Sequence, residues 1–126
     1  MKHKEDVVFT GRVSDLDLSR LIASALALTY VSYFEGFGIP ILEAFNCETP
    51  VITSNISSMP EVAGDAALLI DPFSIESIAN AMQRITNDVQ IRNQLVKNGL
   101  KQKELFSWSK TAEKVWNTIE TTLSSL

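Results

Sequence analysis

Short apolar runs alternate along this chain with segments of helical periodicity, and this alternation restricts the fold more than any other feature. The runs are DVVFTGR (6–12), LALTYVS (26–32), PVITS (50–54) and ALLID (67–71), each of strand length. Between the first two, SDLDLSRLIASA (14–25) carries Leu18, Leu21, Ile22 and Ala25 at helical spacing. Ser14 suits its N-cap, with Asp17 at the third helical position. Pro40 suits the first turn of a helix over PILEAFN. SSMPEVAG reads as one capped turn, with Ser58 as cap, Glu61 three residues on and Gly64 as stop. From Ser74 onward the pattern is helical throughout. Ile75, Ile78, Ala79, Met82 and Ile85 form one stripe; DVQIRNQLVKNGLKQKELF is a more polar helix with a break expected at Gly99. SWSKTAEKVWNTIETTL sets Trp108, Ala112, Val115, Trp116, Ile119 and Leu123 on a last stripe, expected to pack on the domain's own core. Strands alternating with helices predict an α/β fold with a parallel sheet. A chain of 126 residues suits one domain, with the sheet in 1–73 and the closing helices in 74–126.

Charge and cysteine use exclude several classes. A formal charge of −4 disfavours nucleic acid, whose phosphates need a basic face. One cysteine, Cys47, allows no internal disulfide and fits a reducing, cytoplasmic setting, where it reads as a small core residue. The apolar run LIASALALTYV is too short to span a bilayer, and the polar start MKHKED does not resemble a signal peptide. His3 in that start reads as a solvated residue rather than a ligand.

The chemistry concentrates in YFEGFGIPILEAFN (33–46). Glu35 and Glu43, with seven residues between them, bracket Gly36, Gly38 and Pro40. This stretch follows the second expected strand, and parallel sheets bind ligands beyond the carboxyl ends of their strands. The glycines let backbone approach a ligand. A helix starting near Pro40 presents free N–H groups and a positive dipole end, which favour an anion such as a phosphate. Side chains lean toward the helix N-terminus, so Glu43 would lean toward the pocket that Glu35 enters. Two carboxylates beside an anion site are poor phosphate ligands but good acceptors for hydroxyl pairs. Hydroxyl pairs next to a phosphate describe a sugar nucleotide. The alternative is that a glutamate in a first helical turn simply opposes the dipole, with no ligand.

The stretch YFEGFGIPILEAFNCETPVITSNISSMPEVAGDAALLIDP resembles the C-terminal domain of the retaining GT-B glycosyltransferases known as glycosyl transferases group 1. EGFGIPILEA carries the family's Glu–seven residues–Glu motif, SNISSMPEVAGDAA is a second match, and FSW before the last helix a third. The resemblance runs from Val7 to Trp116. It implies a partial Rossmann-like, doubly wound parallel sheet of about four strands with flanking helices. By position it implies that Glu35, taken as the catalytic-site residue, bonds donor-sugar hydroxyls. The amides of Gly36, Phe37 and Gly38 would meet sugar and diphosphate. Ile39 and Pro40 would form the turn into the diphosphate helix, Glu43 would hold the ribose, and Gly11 and Val13 would lie near the base. The implied activity is transfer of a hexose, with retention, from a nucleotide-diphosphate sugar to a saccharide or lipid acceptor in polysaccharide or lipopolysaccharide synthesis. No cofactor or metal is implied. The wording of the second motif leans toward mannosyltransferases and GDP-mannose, with a UDP-hexose as the other donor. A sugar-nucleotide-binding module without chemistry, working with a separate N-terminal half, is the alternative.

This sequence departs from the family at two places: Val31-Ser32 stands where Pro-Ser is common, and CETP, with Glu48, where Cys-Gly-Thr-Pro is common. The resemblance also implies partners beyond this chain: an acceptor-binding N-terminal domain, and the strands that normally separate the first two runs here. Between Met1 and Pro60 only Lys2, Lys4, Arg12 and Arg20 are basic, fewer cations than a diphosphate usually meets. DVVFTGR is therefore expected either to pair directly with the LALTYVS strand or to be exchanged with a second copy, giving a strand- or helix-exchanged homodimer.

Overall fold

The computed structural model describes residues 3–125. Helix α1 spans Asp15–Ser24, strand β1 Leu28–Tyr30, helix α2 Ile39–Asn46, strand β2 Val51–Ser54, helix α3 Met59–Ala63 and strand β3 Ala67–Ile70. Three helices close the chain: α4 (Ile75–Asn87), α5 (Val89–Gln102) and α6 (Trp108–Ser124). The strands form one parallel sheet in the order β1-β2-β3, with Tyr30 beside Thr53 and Ser54 beside Ile70. The α/β reading with a parallel sheet and flanking helices holds.

The strand count differs. The sheet has three strands among the described residues, because DVVFTGR forms none. A strand exists only through a neighbour's ladder, and residues 7–10 have none; Val8 and Phe9 are 82% and 91% exposed. The expected pairing with β1 does not occur within this chain, and Gly11 and Val13 do not mark a strand end.

β2 is buried along its whole length because it is covered on both faces. Alternation along the strand sends Val51 to one side and Ile52 to the other. Val51 packs with Ile22 of α1, Ile41, Ala44 and Phe45 of α2, and Met59 and Val62 of α3. Ile52 packs with Ile70, Ala81 and Ile85 of α4, and Leu95 of α5. Polar groups inside are paired: Thr49 Oγ1 donates to the Ile22 carbonyl at 2.8 Å. Cys47 is half-buried against the first cluster, as expected of a small packing residue.

Caps set most helix starts. The side-chain oxygens of Ser14, Ser74, Asp88 and Ser107 accept from the backbone amides of Asp17, Ser77, Ile91 and Lys110. Ser58 is an exception: no side-chain cap bond forms at α3, so the expected capping box is absent. The break expected at Gly99 is absent too. α5 runs through it, and Gly99 is buried where a Cβ would lie 2.7 Å from Cδ1 of Phe45. The glycine serves close helix packing rather than a stop.

The last helix overturns its expectation. None of its residues is buried, and Trp108, Trp116 and Leu123 are 84%, 60% and 66% exposed. Its stripe is real, but both faces of the sheet are already covered by other helices. No helix among the described residues is long and apolar enough to cross a membrane.

Candidate functional site

The site builds outward from the carboxyl ends of the strands. β2 holds the exit of β1 in place: Thr53 Oγ1 donates to the Tyr30 carbonyl at 2.8 Å, and Ser54 Oγ donates to the Ser32 carbonyl. The chain then turns through Tyr33 to Gly38 and enters α2. Tyr33 stacks on Phe73, which follows β3, with ring centroids 4.9 Å apart and planes 13° apart. Phe37 meets Phe106 edge to face at 5.6 Å. Aromatic contacts of this kind fix ring positions beyond simple burial. The loop is therefore braced at both ends by rings from distant parts of the chain.

Its middle is held by the segment that follows β2. The Glu35 amide donates to Ser57 Oγ at 3.2 Å, and Ser57 Oγ donates back to the Glu35 carbonyl at 2.8 Å. Ser58 Oγ lies 2.7 Å from the Phe37 carbonyl and 3.0 Å from the Glu35 carbonyl. The sequence pattern marks Ser58 as a helix cap and gives Ser57 no role. The signal was available: parallel strands put the loops after β1 and β2 at the same end of the sheet.

Gly38 caps α2 with φ of 115°, a left-handed conformation that favours glycine, and a Cβ there would sit 3.2 Å from Ile41 Cδ1. Ile39 and Pro40 form the first positions of the helix. The Ile41 amide returns to the Gly38 carbonyl at 3.0 Å. Among the described residues, no protein acceptor meets the amides of Gly36, Phe37, Gly38 or Ile39. A Cβ on Gly36 would meet nothing within 4 Å, so that side of the loop is open. Consecutive free amides at a helix start suit an anion.

Glu35 is half-buried and Glu43, in the second turn of α2, is exposed. The nearby Tyr30 hydroxyl, and then the Ser32 hydroxyl, hold the Glu35 carboxyl below the usual carboxylate value, against a smaller opposing effect of burial. The same contact, with burial and the carboxylate's charge, pushes Tyr30 up to about 12. Glu35 is thus an ionised acceptor beside an anion-favouring helix start. Sequence reasoning missed Tyr30, whose hydroxyl reaches past the strand end into this loop. Gly11, with φ of 64°, and half-buried Val13 lie in the segment before α1; neither bonds to the glutamate loop.

Comparison with known proteins follows this geometry. Residues 2–102 match the family described as Glycosyl transferases group 1. O-antigen chain mannosyltransferase B of Escherichia coli is 43% identical over 100 residues, covering 79% of this chain and 26% of that protein. The serotype-specific mannosyltransferase WbdA of Escherichia coli is 34% identical over 109 residues, covering 86% of this chain and 13% of its own length. Among solved structures, sucrose-phosphate synthase from Thermosynechococcus elongatus superimposes with a TM-score of 0.83 at 28% identity, over 99% of this chain and 32% of that one. WaaG, a glycosyltransferase involved in lipopolysaccharide biosynthesis, gives 0.68 at 27% identity, over 85% and 29%. The chain thus spans about a quarter, or less, of the length of these curated relatives.

Proposed function

We propose, because this chain belongs to the glycosyl transferases group 1 family, that it forms the sugar-nucleotide-binding part of a retaining hexosyltransferase acting in surface polysaccharide or lipopolysaccharide synthesis. The observation that carries this reading is the loop from Glu35 to Ile39. An ionised carboxylate, four free amides and a helix N-terminus follow one another there. That order matches a donor whose sugar hydroxyls adjoin a diphosphate. Glu35 accepts from hydroxyls of the transferred sugar. The amides of Gly36, Phe37 and Gly38, with the turn at Ile39 and Pro40, receive the diphosphate oxygens. Glu43 accepts from the ribose, and Gly11 and Val13 approach the base. In the reaction the bond from the anomeric carbon to the diphosphate oxygen breaks and a bond to the acceptor hydroxyl oxygen forms. The hydroxyl proton leaves with the diphosphate. The acceptor is bound by a partner domain.

GDP-mannose is the donor this reading favours, since both Escherichia coli relatives are named mannosyltransferases. Calorimetric titration with GDP, GDP-mannose and a UDP-hexose tests it. GDP-mannose should bind most tightly, and Glu43→Gln should weaken GDP binding about 10-fold or more, the loss expected for a charge-assisted hydrogen bond. Equal GDP binding by the variant and the parent chain would overturn the assignment of Glu43.

A further inference from the structure

We infer that Ser57 and Ser58 are positioning residues for the donor sugar: their hydroxyls set the backbone of the loop that carries Glu35. The inference rests on the donor-site reading above.

A serine hydroxyl has one proton and can also accept. The distances favour one self-consistent assignment. Ser57 Oγ accepts from the Glu35 amide at 3.2 Å and donates to the Glu35 carbonyl at 2.8 Å. Ser58 Oγ then gives its single proton to the Phe37 carbonyl, the nearest of its three acceptors at 2.7 Å. One side chain therefore holds both backbone groups of Glu35, as a neighbouring strand would. The next holds the residue between the two glycines. With its carbonyls turned toward these serines, the loop keeps the Gly36, Phe37 and Gly38 amides free.

Two further observations say that this arrangement is the use to which the serines are put. Ser57 has φ of 58°, a left-handed conformation a residue with a side chain adopts at a penalty. Ser58 gives up the cap of α3, the common use of a serine at a helix start. Stability of α3 alone would favour glycine at 57 and a capping hydroxyl at 58. Both positions instead spend their hydroxyls on the glutamate loop.

Amide hydrogen exchange and calorimetry on Ser57→Gly, Ser58→Ala, Ser58→Thr and Glu35→Gln test this in the chain as it stands. Ser57→Gly relieves the left-handed strain, which offsets much of the loss of its two hydrogen bonds to Glu35, so its unfolding midpoint should change little. Exchange of the Glu35 amide should nonetheless accelerate about tenfold, and GDP-mannose affinity should fall about tenfold, with GDP, which lacks the sugar, falling by clearly less. Ser58→Ala should show the same selective loss, and Ser58→Thr, which keeps the hydroxyl, should restore it. Unchanged exchange at Glu35 in Ser57→Gly overturns the inference whatever the ligands do. An equal drop for GDP and GDP-mannose overturns it too, since general damage to the fold does not single out the sugar. Glu35→Gln separates the two levels. If it leaves the preference for GDP-mannose over GDP intact, the assignment of Glu35 fails. If it abolishes that preference while the serine variants keep it, the positioning role fails alone.

Discussion

Glu48 is in a backbone conformation its side chain opposes, and replacing it should stabilise the chain. It follows α2 in the turn CETP with φ of 56°. Backbone bonds close the turn, the Glu48 amide donating to the Phe45 carbonyl at 3.2 Å and the Thr49 amide to the Ala44 carbonyl at 2.9 Å, and none of them uses the Glu48 side chain. The Glu48 side chain is exposed and forms no hydrogen bond or ion pair among the described residues. Glu48→Gly removes a left-handed penalty of roughly 1–2 kcal/mol. It restores roughly 0.5–1 kcal/mol of unfolded-chain entropy, which offsets part of the gain. The net expectation is about 0.5–1 kcal/mol of stabilisation. At about 2.1 cal/mol/K per residue, a chain of 126 residues then gains about 2–4 °C in its unfolding midpoint. Thermal unfolding followed by circular dichroism reads this directly. Glu48→Gln is the control, because it removes the charge and keeps the Cβ. If Gln raises the midpoint as much as Gly, charge relief in an acidic chain is the cause and the backbone argument is wrong. If Gly lowers the midpoint, the turn does not need the left-handed conformation.

Three shorter predictions follow from other contacts. Gly99→Ala should destabilise by about 1–3 kcal/mol, since the new Cβ would fall 2.7 Å from Phe45 Cδ1; a gain in denaturant midpoint, as helix propensity alone predicts, would refute the close approach. Tyr30, raised to about 12, contributes stability that is complete below its unfolded pKa near 10 and is lost as pH rises from there through 12. Glu35, lowered, contributes stability that is present above the usual carboxylate pKa and lost as pH falls through its folded value. Tyr30→Phe should therefore remove about half of the high-pH tyrosinate absorbance change, since the chain has two tyrosines, and raise the pKa of Glu35 in a carboxyl-carbon NMR titration; an unmoved Glu35 would show that the hydroxyl does not hold it. Trp108 and Trp116, both largely exposed, should emit like indole in water and be freely quenched by acrylamide, and a blue-shifted, protected emission would mean that α6 is covered.

How much was legible depends on whether the information was local. The alternation of strand and helix patterns, the Ser14 cap and the start of α2 at Ile39 and Pro40 were readable because each rests on side chains within a turn or two of one another. The placement of the Glu35–Glu43 stretch at the end of a strand and the start of a helix was readable because one continuous segment carries it. Partnership was not readable. DVVFTGR has the composition of a strand and no ladder to join. The Trp108–Leu123 stripe has the periodicity of a packed helix, yet none of its residues is buried among the described residues. Gly99 has the look of a helix stop and acts as the seat for the Phe45 ring. Ser58 has the look of a cap and spends its proton on a carbonyl twenty-one residues earlier. What this sequence determined by itself was its periodicities, its caps and the order of charged and flexible groups in one loop. Only the tertiary structure decided which edges, faces and hydroxyls found partners, because a hydrogen-bond or packing partner distant along the chain leaves no mark on local composition.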